Sequence, residues 1–210
     1  MKKFTALFVF SLITSLAFSQ VNFFAEGGIN LTRPNNNNRQ KGAAAISSRT
    51  GYVAILGFVS KMGNRFGLNN RLSYLSKVYH ESYFVGPDFS GTNDYTITAL
   101  KDQLVLEYIL AGKKDFQLSP FAGAYATLHV GGIKDYRESF FAGVFEGSRK
   151  LNFGRFGDFN NWEAGLTTGF RAQWKSISFT AITDIGLTKV HYNDNVKWIA
   201  GQFVIGYFLR

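Results

Sequence analysis

Between Trp162 and Leu187 the chain alternates with a period of two, a pattern few folds can use. Trp162, Ala164, Leu166, Thr168, Phe170, Ala172 and Trp174 form one series; Glu163, Gly165, Thr167, Gly169, Arg171 and Gln173 lie between them. After Lys175 and Ser176 the alternation resumes, with Ile177, Phe179, Ala181, Thr183, Ile185 and Leu187 set against Ser178, Thr180, Asp184, Gly186 and Thr188. Alternation places one apolar and one polar face on each strand, and the two-residue break predicts a tight hairpin. At ~3.3 Å per residue and a tilt of about 40°, about twelve residues climb ~30 Å. That matches the apolar band of an outer-membrane barrel, with Trp162 and Trp174 in the aromatic ring at each edge. A hairpin of a soluble sandwich would alternate equally well, so the rest of the chain must decide.

Further alternating segments are expected over 21–32, 50–62, 66–79, 95–110, 120–130 and 196–209. In the first, Phe23, Ala25, Ile29 and Leu31 oppose Asn22, Glu26, Gly28 and Asn30. In 120–130 alanines and aromatics alternate so evenly that the sequence does not assign an outer face. Between these segments lie long polar links at 33–48 (with the run Asn35 to Asn38), 81–94 and 131–160. Short links lie near Gly63–Asn64, over 112–118 and at Lys175–Ser176, and a brief one at 191–195 precedes the last segment. A soluble sandwich has no reason to alternate long and short links, whereas barrels with short periplasmic turns and long outer loops do so. The prediction is all-β: an eight-stranded up-and-down transmembrane antiparallel β-barrel, closed so that no strand edge meets lipid.

Residues 1–19 read as a cleaved signal peptide. Lys2 and Lys3 supply the charged start, 4–16 the apolar stretch, and Ala17-Phe18-Ser19 a small-x-small site before Gln20. Residues 20–210 are then one barrel domain. No later stretch is apolar enough for a spanning helix. The absence of cysteine excludes disulfides, thiolate metal sites, a cysteine nucleophile and a lipid-modified N-terminal cysteine. The net charge of +9 is spread along the chain without a nucleic-acid-binding motif, so no nucleic-acid partner is expected.

Several short motifs carry a resemblance. Leu106-Glu107-Tyr108, Pro120-Phe121-Ala122-Gly123, Gly165-Leu166, Gly169-Phe170, Ile185-Gly186-Leu187 and Gly206-Tyr207-Phe208 resemble segments of the small outer-membrane β-barrel family of Bacteroidota, often called PorT-like. The likeness covers most of 20–210 and implies the same barrel. Such barrels usually end on an aromatic residue, whereas Leu209 and Arg210 follow Phe208 here. The secretion role of the family's namesake does not transfer, because no residue here carries it.

The faces expected to point inward collect Glu26, Glu107, Glu163 and Asp184 with Lys61, Arg71, Lys77, Lys101 and Arg171. Inside an eight-stranded barrel these should pair as a structural plug, because isolated charges there are costly. His80, His129 and His191, with Asp88, Asp94 or Asp194, could supply metal ligands at the barrel mouth, but their spacing favours scattered interfacial histidines. Asp88, Ser90, Thr92 and Asp94 lack a calcium loop's closing glutamate, since Ala99 stands there. His80-Glu81-Ser82 weakly resembles the His-x-Ser pair of outer-membrane lipid A deacylases. The loop 131–160 is unusually aromatic (Phe140, Phe141, Val144, Phe145, Phe153, Phe156, Phe159) and basic (Arg137, Arg149, Lys150, Arg155). It should either extend the strands over the barrel mouth or present a sticky basic surface.

The expectation is a monomeric, non-enzymatic protein of the cell outer membrane with a side-chain-filled lumen and a structural or surface-interaction role. Its expected partners are outer-membrane lipid and lipopolysaccharide, and a surface partner through 131–160. No catalytic, cofactor-binding or metal residues are assigned, and no cofactor. The alternatives are a deacylase-like barrel enzyme acting on outer-leaflet lipid and a soluble lipocalin-like binding barrel.

Overall fold

The computed structural model describes residues 21–35, 45–84, 89–113, 115–154, 157–190 and 196–209. The expected signal peptide, Asn36 to Asn38, Asp88, Arg155, Phe156, His191, Asp194 and Arg210 lie outside the described residues. The chain order is β1 (Val21–Asn35), β2 (Ala45–Met62), β3 (Phe66–Phe84), β4 (Phe89–Tyr108), β5 (Ala111–Lys113), β6 (Phe116–Phe140), β7 (Gly143–Lys150), β8 (Trp162–Trp174), β9 (Ile177–Gly186) and β10 (Lys197–Leu209).

The strands pair antiparallel in the order β4-β3-β2-β1-β10-β9-β8-β6, and β6 returns to β4, so the sheet closes on itself. The hydrogen-bonded row starting at Pro120, low on β6, passes Phe170, Ala181, Phe203 and Ile29 and reaches Tyr52, well up β2. That climb is the stagger a tilted barrel requires. Short turns close the lower end: Gly63 takes φ 73° and Lys175 φ 55°, the left-handed conformation tight hairpin turns need.

Among the described residues there are ten strands, not eight. Eight form the ring, β5 makes a small hairpin with the foot of β6, and β7 pairs with the top of β6. The segments read as loops over 81–94 and 131–150 are largely strand. β3 and β4 stay paired as far as Phe84 and Ser90, and β4 and β6 as far as Phe89 and Phe140. These extensions stand above the band where lipid demands an apolar outer face. There polar and apolar side chains are mixed on both faces, and periodicity carries no signal.

Candidate functional site

The exposure pattern is inverted relative to a soluble protein. Outward side chains such as Phe23, Leu56, Leu106, Phe170, Phe179, Phe203 and Ile205 are about half to two thirds exposed, while charged side chains are buried within the ring. Trp162 and Trp174 are 58% and 59% exposed at opposite ends of β8. Phe66 and Tyr108 pair at the lower edge and Tyr52 with Tyr74 at the upper. Water would not tolerate so continuous an apolar belt, and a closed sheet has no free backbone to present to lipid. This is a membrane-spanning barrel.

Among the described residues the lumen holds four carboxylates and four Lys or Arg side chains, matched one to one. Low in the barrel, Glu26 lies 3.6 Å from Arg71 and Glu107 3.2 Å from Arg171. Ser178 and Thr180 donate to Glu26, and Asn69 donates to Glu107. Both guanidiniums lie against aromatic faces, Arg71 over Phe121 at 4.7 Å and Arg171 over Phe208 at 5.0 Å. Midway, Lys101 bonds Asp184 at 2.7 Å, and Gln103 and Gln202 donate to the same carboxylate. Higher still, Glu163 accepts from both Lys77 and Tyr125. Lys77 also lies 4.6 Å from the Trp198 ring and 3.3 Å from His129. Gly165 and Gly169 make room for this filling: a Cβ at either would strike the ring of Tyr125 or Phe121.

An apolar lid closes the top. Leu151 and Phe159, from the segment after β7, pack with Val190, Trp198, Tyr79 and Ile97. Arg149 clasps Asp158 at 2.6 and 2.9 Å, and its guanidinium holds the Asp158 carboxyl below the usual carboxylate range. Above the lid the extended sheet stands clear. There Tyr83 donates to Glu138 at 3.0 Å, and burial together with that bond pushes its hydroxyl up to about 12.

Eight of the nine charges expected inside are there. Lys61 is not: it is exposed, at the foot of β2 beside the turn, where alternation runs out into water. The histidines do not converge, since His129 faces the lumen and bonds the Asn160 carbonyl while His80 faces outward; His191 lies outside the described residues. Ser90, Thr92 and Asp94 belong to β4 rather than to a loop, and Asp88 lies outside the described residues. His80 does have an orienting carboxylate. Asp94 sits 2.8 Å from its Nδ1, with Arg49 2.9 Å from the same carboxylate. They line a shallow cleft of about 490 Å³ with Thr92, Asp135, Arg137 and Glu146. Ser82 is two residues on along β3, but among the described residues no hydrogen bond joins it to His80. The aromatic loop divides: Phe153 and Phe159 join the lid, whereas Phe140, Phe141, Val144 and Phe145 crown the β6–β7 hairpin, Phe141 95% exposed.

Sequence reasoning missed one polar pair. Asn70 and Asp102 occupy outward positions on β3 and β4, yet both are buried, and Asn70 donates to Asp102 at 3.0 Å. Asp102 lies six residues above Tyr108 along β4, ~15 Å up the membrane normal at a tilt of about 40°. Two further lumen residues, Trp198 and Phe24, also went unassigned; each lies on the buried alternate of its strand.

No known family matches the chain, and no curated protein matches it. Among solved structures, the chain is similar to the outer membrane protein OprG from Pseudomonas aeruginosa. The identity is 14% over 92% of this chain and 98% of that one, with a TM-score of 0.45. Neisserial surface protein A is 12% identical over 90% and 97%, with a TM-score of 0.41. Ail, the attachment invasion locus protein of Yersinia pestis, is 12% identical over the same shares, with a TM-score of 0.39.

Proposed function

We propose that the chain is a small integral outer-membrane barrel with a closed lumen, acting as a structural or surface-interaction protein through its outer extensions. The observation that carries this reading is the pairing of every lumen acid with a base beneath an apolar lid. A conduit would leave charged groups facing a water path, whereas charges paired and buried beneath a lid support a cross-section filled by side chains. The outer membrane is the setting that suits a closed β-barrel with an apolar belt, because strands cross there without leaving backbone unpaired. The PorT-like resemblance rests on short motifs and supports the architecture rather than a role.

The test is electrical. Purified protein in planar bilayers is expected to show no steady conductance, with a porin as positive control. A stable ohmic step would show an open lumen and overturn the reading.

The His80–Asp94 contact favours a second reading, a barrel hydrolase acting on outer-leaflet lipid with Ser82 as nucleophile. A carboxylate-held imidazole beside a serine is a hydrolase's requirement, but the bond that would activate Ser82 is not made. Mass spectra of outer-leaflet lipid are therefore expected to be identical in cells expressing the wild type and Ser82→Ala. Loss of an acyl chain that depends on Ser82 would establish the enzyme instead.

A further inference from the structure

β7 has one partner. It pairs with β6 from Phe140↔Gly143 to Ile133↔Lys150 without a break in register. The bond from Leu151 N to the Gly132 carbonyl, 3.0 Å, sets the phase of the ladder. In an antiparallel pair, residues alternate between those that bond the partner and those that point away. Phe145, Gly147 and Arg149 therefore turn their N–H and C=O groups to β6, while Val144, Glu146, Ser148 and Lys150 turn theirs outward. Among the described residues nothing pairs with that outer edge, and β7 is exposed along nearly its whole length.

Edges of this kind are usually blunted by proline, a bulge or unneutralised charge. β7 has no proline and no bulge, and two of its three charges are already engaged, which leaves Lys150 alone at the end away from the turn. Glu146 is held by Arg137 at 3.0 Å and Arg149 by Asp158. The turn end of the edge carries exposed Phe141, Val144 and Phe145.

We propose that the outer edge of β7 accepts an extended polypeptide segment of another protein as an added strand. This rests on the surface-interaction reading above and names the class of partner. A row of alternating donors and acceptors at strand spacing is matched by another backbone. The side chains add a polarity: an apolar end toward Val144 and Phe145, and an acidic end toward Lys150. A second copy in the same membrane does not fit. Two copies share the membrane normal, so strands tilted about 40° would cross at about 80°. Paired strands tolerate only about 20–25°.

The test uses the full-length protein in lipid nanodiscs, panned against a phage-displayed library of random dodecapeptides and counter-selected on Ser148→Pro. Proline at 148 removes an outward N–H and leaves the bonds to β6 in place. Ser148→Ala keeps the N–H, and Glu146→Pro is a second edge variant should Ser148→Pro fail to fold. Selected peptides are expected to bind wild type and Ser148→Ala alike and the proline variant at least tenfold more weakly. N-methylation along a selected peptide should abolish binding at every second residue. No selected peptide, equal binding to the proline variant, or a scan without a period of two would each overturn the proposal. Because the chain has no cysteine, Ser148→Cys can be labelled in intact cells with a membrane-impermeant maleimide. Labelling without any edge-dependent peptide overturns the edge proposal and leaves the surface role standing. Absence of labelling overturns the surface role itself.

Discussion

Replacing Glu163 by alanine is expected to destabilise the folded barrel by about 3–5 kcal/mol, the usual effect of removing one partner from a buried ion pair. Glu163 is buried and accepts from Lys77 and Tyr125, with His129 Nε2 3.7 Å away. Its loss leaves the phenol hydroxyl without an acceptor and the ammonium with His129 Nε2, 3.3 Å away, in place of a carboxylate, in a site walled by Trp198 and the lid. Neither can reach water without opening Leu151 and Phe159. Lys61→Ala is the internal control: an exposed charge at the foot of β2 should change stability by no more than about 0.5 kcal/mol. The measurement is the urea midpoint of the barrel in lipid vesicles, followed by tryptophan fluorescence. A Glu163→Ala midpoint within about 1 kcal/mol of the wild type would mean that the lumen is hydrated enough to solvate Lys77, and that the lid is not closed.

How legible all this was depended on where lipid enforces the pattern. Within the apolar belt the period of two assigns faces correctly: Phe23 and Ile29 face outward, Glu26 and Asn30 inward, and the β8–β9 register sets Phe170 beside Ala181. The lumen charges followed from the same rule. The open face of 120–130 was settled only by pairing with β4 and β8, which turns Phe121, Tyr125 and His129 inward and Ala122 and Ala124 outward. Above the belt the rule fails, because water is a good solvent for both faces of β7 and for the tops of β3, β4 and β6. Those strands are held by backbone pairing and aromatic contacts such as Phe89 with Phe140, rings 4.6 Å apart. Neither leaves a periodic trace in one segment. The Asn70–Asp102 bond is a third kind of failure. The two are diagonal, since Asn70 stands opposite Leu104 and Asp102 opposite Leu72. The contact exists only once the register is known.

The belt itself predicts the second large effect. Phe170→Arg should cost about 2–4 kcal/mol, the range for a cation near the bilayer midplane on the lipid face of a barrel. Phe170 is 55% exposed on β8, between the interfacial tryptophans at 162 and 174, so an arginine there sits ~10 Å from the nearer interface and ~20 Å from the other at a tilt of about 40°. The neighbouring positions sharpen the comparison. Arg171 is one residue away and fully tolerated, because alternation carries it into the lumen beside Glu107. Phe141 is as apolar and more exposed, but it sits at the tip of the β6–β7 hairpin in water, so Phe141→Arg should shift stability by no more than about 0.5 kcal/mol. Both variants are measured by urea titration in vesicles of the same lipid. A soluble barrel would treat both as exposed surface substitutions and show no difference between them. Equal small effects at 170 and 141 would therefore remove the membrane from the account, whatever the closed sheet resembles. A loss confined to 170 places the waist of β8 in hydrocarbon and the β6–β7 tip outside it.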